Sequence, residues 1–382
     1  MTLSPKVAAQ IASAVYGIRT VSHVAAGVAK QQEGELLGST DFDFGKATAI
    51  GGTSGAGFRS ASGFSMVVPC RGTMQGEYLV ATRGTVTGHD WLTDFAAAME
   101  PGPGGCAVHA GFNRVARSVL LEINGQLRNK FPTRIHVVGH SLGGAVANLL
   151  AASFATHGIG CELYTFGAPR AGLEPFRQLL AQKVGEQNIY RAFSMSDPVP
   201  MVPIHPFLHA PTVQPAALCG SRHGLVNPFA HMMSAYKTAL GPNVAWQTLR
   251  NAAKVTPMNV EELLRLASTT IRLPGISGGL YLLGRILQKM LSAQNVVIGS
   301  TVTGAATVLD QIGLTLSRAR VSNKEVNEQL KGFMKYALLL AGLPFKIGTA
   351  ITAAYITHVL TILLRLALGQ ATVAIARADQ DA

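Results

Sequence analysis

Residues 137–144 read Val-Val-Gly-His-Ser-Leu-Gly-Gly, and no other stretch constrains the fold of this chain as tightly. A short apolar run, Ile135, Val137 and Val138, precedes the serine, and a helix-forming run from Ala145 to Leu150 follows it. Gly-x-Ser-x-Gly between a strand and a helix is the sequence of a nucleophile elbow, a sharp turn that holds a serine hydroxyl exposed at its apex. Gly139 and Gly143 let the backbone turn and let the helix start close to the strand. Ser141 is thereby the candidate nucleophile.

The flanking sequence supplies the sheet that such an elbow needs. Strands are predicted at about Phe64–Pro69 and Tyr78–Thr82, joined by a glycine-containing turn, then before Ser141, at Cys161–Phe166 and at Asn188–Phe193. Helical patterns separate the later ones, so the expected fold is α/β, largely parallel with an antiparallel start. Residues 1–35 read as a weakly amphipathic helix. Residues 44–63 read as a Gly- and Ser-rich loop, and they lack the Gly-Lys-Ser/Thr ending of a phosphate-cradling loop.

The character changes after about residue 245. Thr256 and Pro257 suit a helix start, Val260, Leu263, Leu264, Ala267 and Ile271 share one helical face, and Pro274 with Gly275 ends it. Two uncharged runs follow, Leu291–Leu309 and Ile347–Leu364, each near the length that spans a bilayer but diluted by Gly, Ser, Thr or His. They read either as a buried helical hairpin or as segments that enter or lie on a membrane. Basic residues flank them, among them Arg272, Arg285, Lys289, Arg318, Lys331 and Lys346, which suits anionic lipid.

Hydrophobic residues make up 48% of the 382-residue chain and charged ones 14%, which excludes a disordered class. The net charge of +12 favours anionic partners. Without a nucleic-acid-binding motif, a membrane surface is the expected partner and nucleic acid is not. The four cysteines (Cys70, Cys106, Cys161, Cys219) include no Cys-x-x-Cys pair, so no metal site is expected. They read as structural thiols, with one or two disulfides left open. The stretch Val7–Ile18 is a poor signal-peptide core. Localisation is therefore unknown from the sequence, with membrane association or export by a leaderless route expected.

A serine hydroxyl needs a base and a group that orients the base. In an elbow fold the chain order is Ser, then Asp or Glu, then His. Asp197, in Ser196-Asp197-Pro198-Val199-Pro200 just past a strand end, is the candidate acid. His205, His209, His223 and His231 follow it. His231 is favoured because it opens a helix-like run after Pro228, and His223, in a loop, is the alternative. The oxyanion requires two donors. The amide of Leu142 is one candidate, and Thr85, after the strand ending Ala81-Thr82-Arg83-Gly84, is the other. This chemistry requires no cofactor.

Several segments together resemble the class 3 lipases, the fungal triacylglycerol lipase type of α/β hydrolase. They are Arg83-Gly84-Thr85 with Asp90-Trp91-Leu92-Thr93-Asp94, Val108-His109-Ala110-Gly111-Phe112, the elbow, Tyr164-Thr165-Phe166-Gly167-Ala168-Pro169-Arg170, and Asp197-Pro198-Val199-Pro200. The resemblance covers roughly residues 60–240. It implies the oxyanion role for Thr85, nucleophile and acid roles for Ser141 and Asp197, and a His-plus-Tyr helix start for His231 and Tyr236. It also implies a lid after Thr85, with Trp91, Leu92, Phe95 and Met99 as its apolar residues and residues 101–105 as a hinge. The expected organisation is an α/β-hydrolase lipase domain with an N-terminal helix at 1–245 and a helical, apolar and basic domain at 246–382. That combination resembles bacterial phospholipase effectors of type VI secretion, for which an inhibitory partner protein is expected. The implied activity is hydrolysis of carboxylic esters of membrane lipids, phospholipid or acylglycerol. The alternatives are a soluble carboxylesterase and a membrane-perturbing protein acting through its C-terminal helices.

Overall fold

The computed structural model describes residues 1–18, 41–52, 62–84, 99–194, 196–203, 206–211, 217–219, 227–253, 308–345 and 350–381, with isolated positions at 283, 286, 287 and 290. In chain order the strands are β1 (Thr48–Gly52), β2 (Ser62–Pro69), β3 (Glu77–Thr82), β4 (Met99–Pro101), β5 (Ala107–His109), β6 (Arg134–His140), β7 (Gly160–Phe166), β8 (Ile189–Phe193) and β9 (Ala217–Leu218). The helices are α1 (Pro5–Ala14), α2 (Ala110–Leu127), α3 (Leu142–Thr156), α4 (Glu174–Leu180), α5 (Met233–Ala239), α6 (Trp246–Ala253), α7 (Val308–Ser322), α8 (Lys324–Leu340) and α9 (Ala353–Asp381).

Among the described residues seven strands form the main sheet, in the order β1-β2-β3-β6-β7-β8-β9. The pairs β1–β2 and β2–β3 are antiparallel, and every later pair is parallel. This is the predicted mixed α/β sheet. Strand β1 lies in the stretch expected to be a loop: its glycines hide a strand that pairs with β2 over Thr48–Ile50 before the register shifts. The short pair β4–β5 and the edge strand β9 were not predicted either, being too short to show a period.

Side-chain alternation divides the core between the sheet's two faces. Val80, Val137 and Leu163 point toward α2 and α3, where they meet Phe112, Val119, Val146 and Leu150. Leu79, Ala81, Val138, Tyr164 and Phe166 point the other way, toward α1, α5 and α6. Ser4 caps α1 by accepting the Val7 N–H at 3.3 Å, and Pro5 supplies the first helical position. The helix is buried along most of its length, not only on one stripe as an amphipathic surface helix would be.

Trp246 and Leu249 lie in the same core as α1, and the Trp246 indole N–H donates to the Leu3 carbonyl at 2.8 Å. The expected boundary at 245/246 falls at the start of α6, whose Trp246 and Leu249 pack on the sheet. Beyond it, Asn323 caps α8 by accepting the Glu325 and Val326 N–H groups. Helix α9 packs against α7, α8 and the short turns Val199–Met201 and Pro228–His231. Val199, Met201 and Val202 join Ile356, Leu360 and Leu363 in one continuous core. The predicted segment Thr256–Ile271 and nearly all of Leu291–Leu309 lie outside the described residues, as do Trp91, Leu92 and Phe95. Met99, expected in a lid, begins β4 and is half-buried against the core. All four cysteines are free.

Candidate active site

The site sits at the carboxyl ends of β6, β7 and β8. Ser141 follows β6 with φ 57° and ψ −132°, outside the regions a serine normally occupies. Its N–H donates to the Phe166 carbonyl at 3.0 Å, tying the elbow to the end of β7. A Cβ at Gly139 would fall on the Gly143 carbonyl oxygen, so the strand and the first turn of α3 approach each other only because 139 is glycine. Leu142 opens α3, which places its amide at the N-terminal, positive end of the helix dipole beside the serine.

His231 ends the turn Pro228–His231, whose start is capped by Asn227 accepting the Phe229 N–H at 3.0 Å. Its Nε2 is 2.8 Å from Ser141 Oγ and its Nδ1 is 2.9 Å from Asp197 Oδ2. Donor logic fixes the neutral form: Nδ1–H donates to the carboxylate, and the Nε2 lone pair accepts the serine hydroxyl. Ser141, Asp197 and His231 are all buried. Three of the sequence-predicted residues are thus brought into one hydrogen-bonded line.

Asp197 is held from other directions as well. Oδ1 accepts the Val199 N–H at 2.9 Å, and Oδ2 accepts the Tyr236 hydroxyl at 2.7 Å. Tyr236 accepts the Ser194 N–H in turn. Burial, followed by the Asp197 charge, pushes the Tyr236 phenol well above its usual range, so it remains a donor. Arg170 staples the loop behind the acid by donating to the Met201 carbonyl at 2.6 Å and the Pro203 carbonyl at 2.5 Å. Gly167, at φ 54°, lies under the acid and base: a Cβ there would sit 2.7 Å from Asp197 Oδ2 and 3.0 Å from His231 Nδ1. The roles of Tyr236, Arg170 and Gly167 were not read from the sequence, although all three lie in segments it singled out.

His209 is half-buried and its Nε2–H donates to the Pro200 carbonyl at 2.8 Å, so it supports the Asp197 loop and does not face the serine. His205, His223 and Thr85 lie outside the described residues. The residues just before Thr85, Arg83 and Gly84, are buried beside the elbow. Among the described residues no group of three or more His, Cys, Asp or Glu is arranged to hold a metal ion.

A mixed sheet with an elbow serine at the end of its central parallel strand, followed in the chain by an acid and a histidine, is the α/β-hydrolase architecture. Residues 79–207 match the family described as lipase (class 3). Over 133 residues it is 35% identical to secreted mono- and diacylglycerol lipase 1 of Fusarium solani, covering 33% of this chain and 39% of that one. Over 159 residues it is 32% identical to phospholipase A1-II 4 of Oryza sativa subsp. japonica, covering 33% of this chain and 40% of that one. The crystal structure of a mono- and diacylglycerol lipase from Aspergillus oryzae aligns with a TM-score of 0.39 at 25% identity, over 56% of this chain and 81% of that one. The chain spans less than half the length of either curated relative.

Proposed function

We propose that this chain is a serine ester hydrolase that cleaves carboxylic esters of membrane glycerolipids, with Ser141, His231 and Asp197 as its triad. The observation that carries the reading is the buried line from Ser141 Oγ through the His231 imidazole to Asp197, at 2.8 and 2.9 Å. Ser141 Oγ attacks the ester carbonyl while its proton passes to His231 Nε2. Asp197, held by Tyr236 and Val199, steadies the imidazolium that forms. The Leu142 amide, with Thr85 as second donor, stabilises the tetrahedral oxyanion. Collapse of that intermediate breaks the ester C–O bond, and His231 returns the proton to the leaving alcohol. Water then attacks the acyl-serine by the same route, and the fatty acid leaves with the serine restored.

Glycerolipid is the substrate class that the relatives' names suggest, since they are a mono- and diacylglycerol lipase and a phospholipase A1. The net charge of +12 favours anionic phospholipid at the surface of a bilayer. Helix α9 supports contact with that surface: Ala353–Ala378 contains an 18-residue stretch of mean hydropathy 1.9, is long and apolar enough to cross a membrane, and has 44% of that stretch buried. We place the junction between the hydrolase region and the helical region after α6, because Trp246 belongs to the sheet's core.

The test is release of free fatty acid and lysophospholipid from mixed anionic vesicles, followed by mass spectrometry, for wild type and Ser141→Ala. Serine-dependent release, with an unchanged melting temperature in the variant, is expected. Turnover retained in Ser141→Ala would remove the mechanism. Hydrolysis of soluble short-chain esters without vesicle turnover would identify a carboxylesterase whose C-terminal helices only pack.

A further inference from the structure

The residue before the nucleophile is a histidine that the triad does not use. His140 is fully buried, and its ring stacks on that of His231 with centroids 4.7 Å apart and planes 30° from parallel. Its Nε2 lies 2.8 Å from the His231 carbonyl oxygen. A carbonyl only accepts, so Nε2 carries the hydrogen and Nδ1 is left with a lone pair. That lone pair is 2.6 Å from Tyr16 Oη, which must therefore donate. Tyr16 Oη in turn accepts the Gly84 N–H at 3.3 Å. One tautomer satisfies every contact in the chain Gly84 N–H, Tyr16 O–H, His140, His231 carbonyl.

This chain of bonds joins the end of β3, the N-terminal turn Val15–Gly17, the elbow and the turn that carries the base. It also runs close to the nucleophile: the Cβ position at Gly84 is 2.8 Å from Tyr16 Oη and 3.2 Å from Ser141 Cβ. Around His140 stand Tyr16, His231 and Tyr236, with the Tyr236 ring 6.1 Å away, and none of them is an acid. Burial, and then the charge on His231, hold the His140 imidazole well below its usual range, so it stays neutral when its neighbour is protonated.

We infer that His140 and Tyr16 are positioning residues for the base: Tyr16 fixes the His140 tautomer, and His140 grips the His231 main chain while facing its ring. The inference rests on the triad reading given above. A hydrogen-bonded grip on the main chain sets the height and tilt of His231 over Ser141. A neutral ring face beside the imidazole accommodates the positive charge that forms when the serine proton is taken. Without the Tyr16 hydroxyl, His140 is free to adopt the other tautomer, which points a lone pair at the His231 carbonyl and releases the turn.

The experiment uses the full chain as wild type, Ser141→Ala, Tyr16→Phe, His140→Gln and His140→Leu. It measures kcat, KM and their pH profiles on a soluble short-chain ester, with fluorophosphonate labelling as an independent readout of the serine. Tyr16→Phe keeps the ring and removes one donor. It is expected to lower kcat about tenfold with KM within about twofold, and to move the acid limb of the kcat profile to lower pH. His140→Gln, which keeps an N–H in reach of the carbonyl, is expected to retain more activity than His140→Leu. Should Tyr16→Phe fail to fold, the comparison of His140→Gln with His140→Leu decides the matter. Wild-type kcat and an unmoved acid limb in folded Tyr16→Phe, or equal activity in the two His140 variants, would overturn the positioning role while leaving the triad intact. Absence of Ser141-dependent labelling and turnover in the wild type would instead remove the triad, and the positioning role with it.

Discussion

Gly167→Ala is the perturbation whose consequence the structure specifies most closely. The residue sits at φ 54°, where an L side chain is strained, and an alanine Cβ would lie 2.7 Å from Asp197 Oδ2 and 3.0 Å from His231 Nδ1. The backbone strain alone is about 1–2 kcal/mol, which in a domain of this size lowers the melting temperature by about 2–8 °C. The contact does more damage than the strain. Ordinary van der Waals contact begins at 3.4 Å, so the carboxylate oxygen must retreat by several tenths of an ångström in a buried, close-packed site. Asp197 cannot move without breaking its bonds to Tyr236 or Val199. Misplacement by about an ångström costs an enzyme on the order of 10²-fold in rate, and a loss of that order is expected in kcat on a short-chain ester. The control is Gly158→Ala, at φ 82° with nothing within 4 Å of its Cβ position. It carries the same backbone strain and should melt early but turn over normally. If Gly167→Ala and Gly158→Ala have the same specific activity in their folded states, the steric argument is wrong.

Two further outcomes follow from buried titratable groups. His109 is buried at the start of α2, and burial followed by the nearby Arg114 charge lowers its pKa from 6.5 to about 4. The unfolded chain binds this proton below pH 6.5 and the folded chain does not until pH 4, so stability falls as pH drops through that window, by at most about 3 kcal/mol from this group. Urea unfolding at pH 7 and pH 4.5 measures the loss, and an equal loss in a His109→Asn variant would assign it elsewhere. Burial pushes the thiols of Cys70, Cys161 and Cys219 up to about 12, whereas Cys106 is partly exposed. Alkylation of the native protein at pH 8 should therefore modify Cys106 first, the other three following only after unfolding, as read by peptide mass spectrometry. Early modification of Cys219, which lies beside the acid's loop, would show that this region opens.

The elbow was legible because its constraints are local. A serine at positive φ between two glycines, after β-branched residues and before an alanine-rich helix, can be read from eight residues. The alternation in Leu79–Ala81 and the apolar runs before Ser141 and at Cys161–Phe166 revealed the parallel strands for the same reason. Strand β1 stayed hidden because its residues are mostly small, and it is held by pairing with β2 instead of by its own pattern. The acid followed from chain order and its place after β8. His231 was favoured only for its place at a helix-like start, since five histidines follow Asp197 and the sequence does not say which turn folds back over the serine. Packing brings His231 there: Pro228–His231 is pinned by Asn227, by His140 and by α9. The same holds for Tyr16, more than a hundred residues from the elbow, for Tyr236 against Asp197, and for Arg170 on the acid loop. Short-range order in the sequence determined which residue is the proposed nucleophile. Hydrogen bonds and core contacts between segments far apart in the chain decided which residues hold it there, because their partners are set by tertiary proximity and leave no mark on local periodicity.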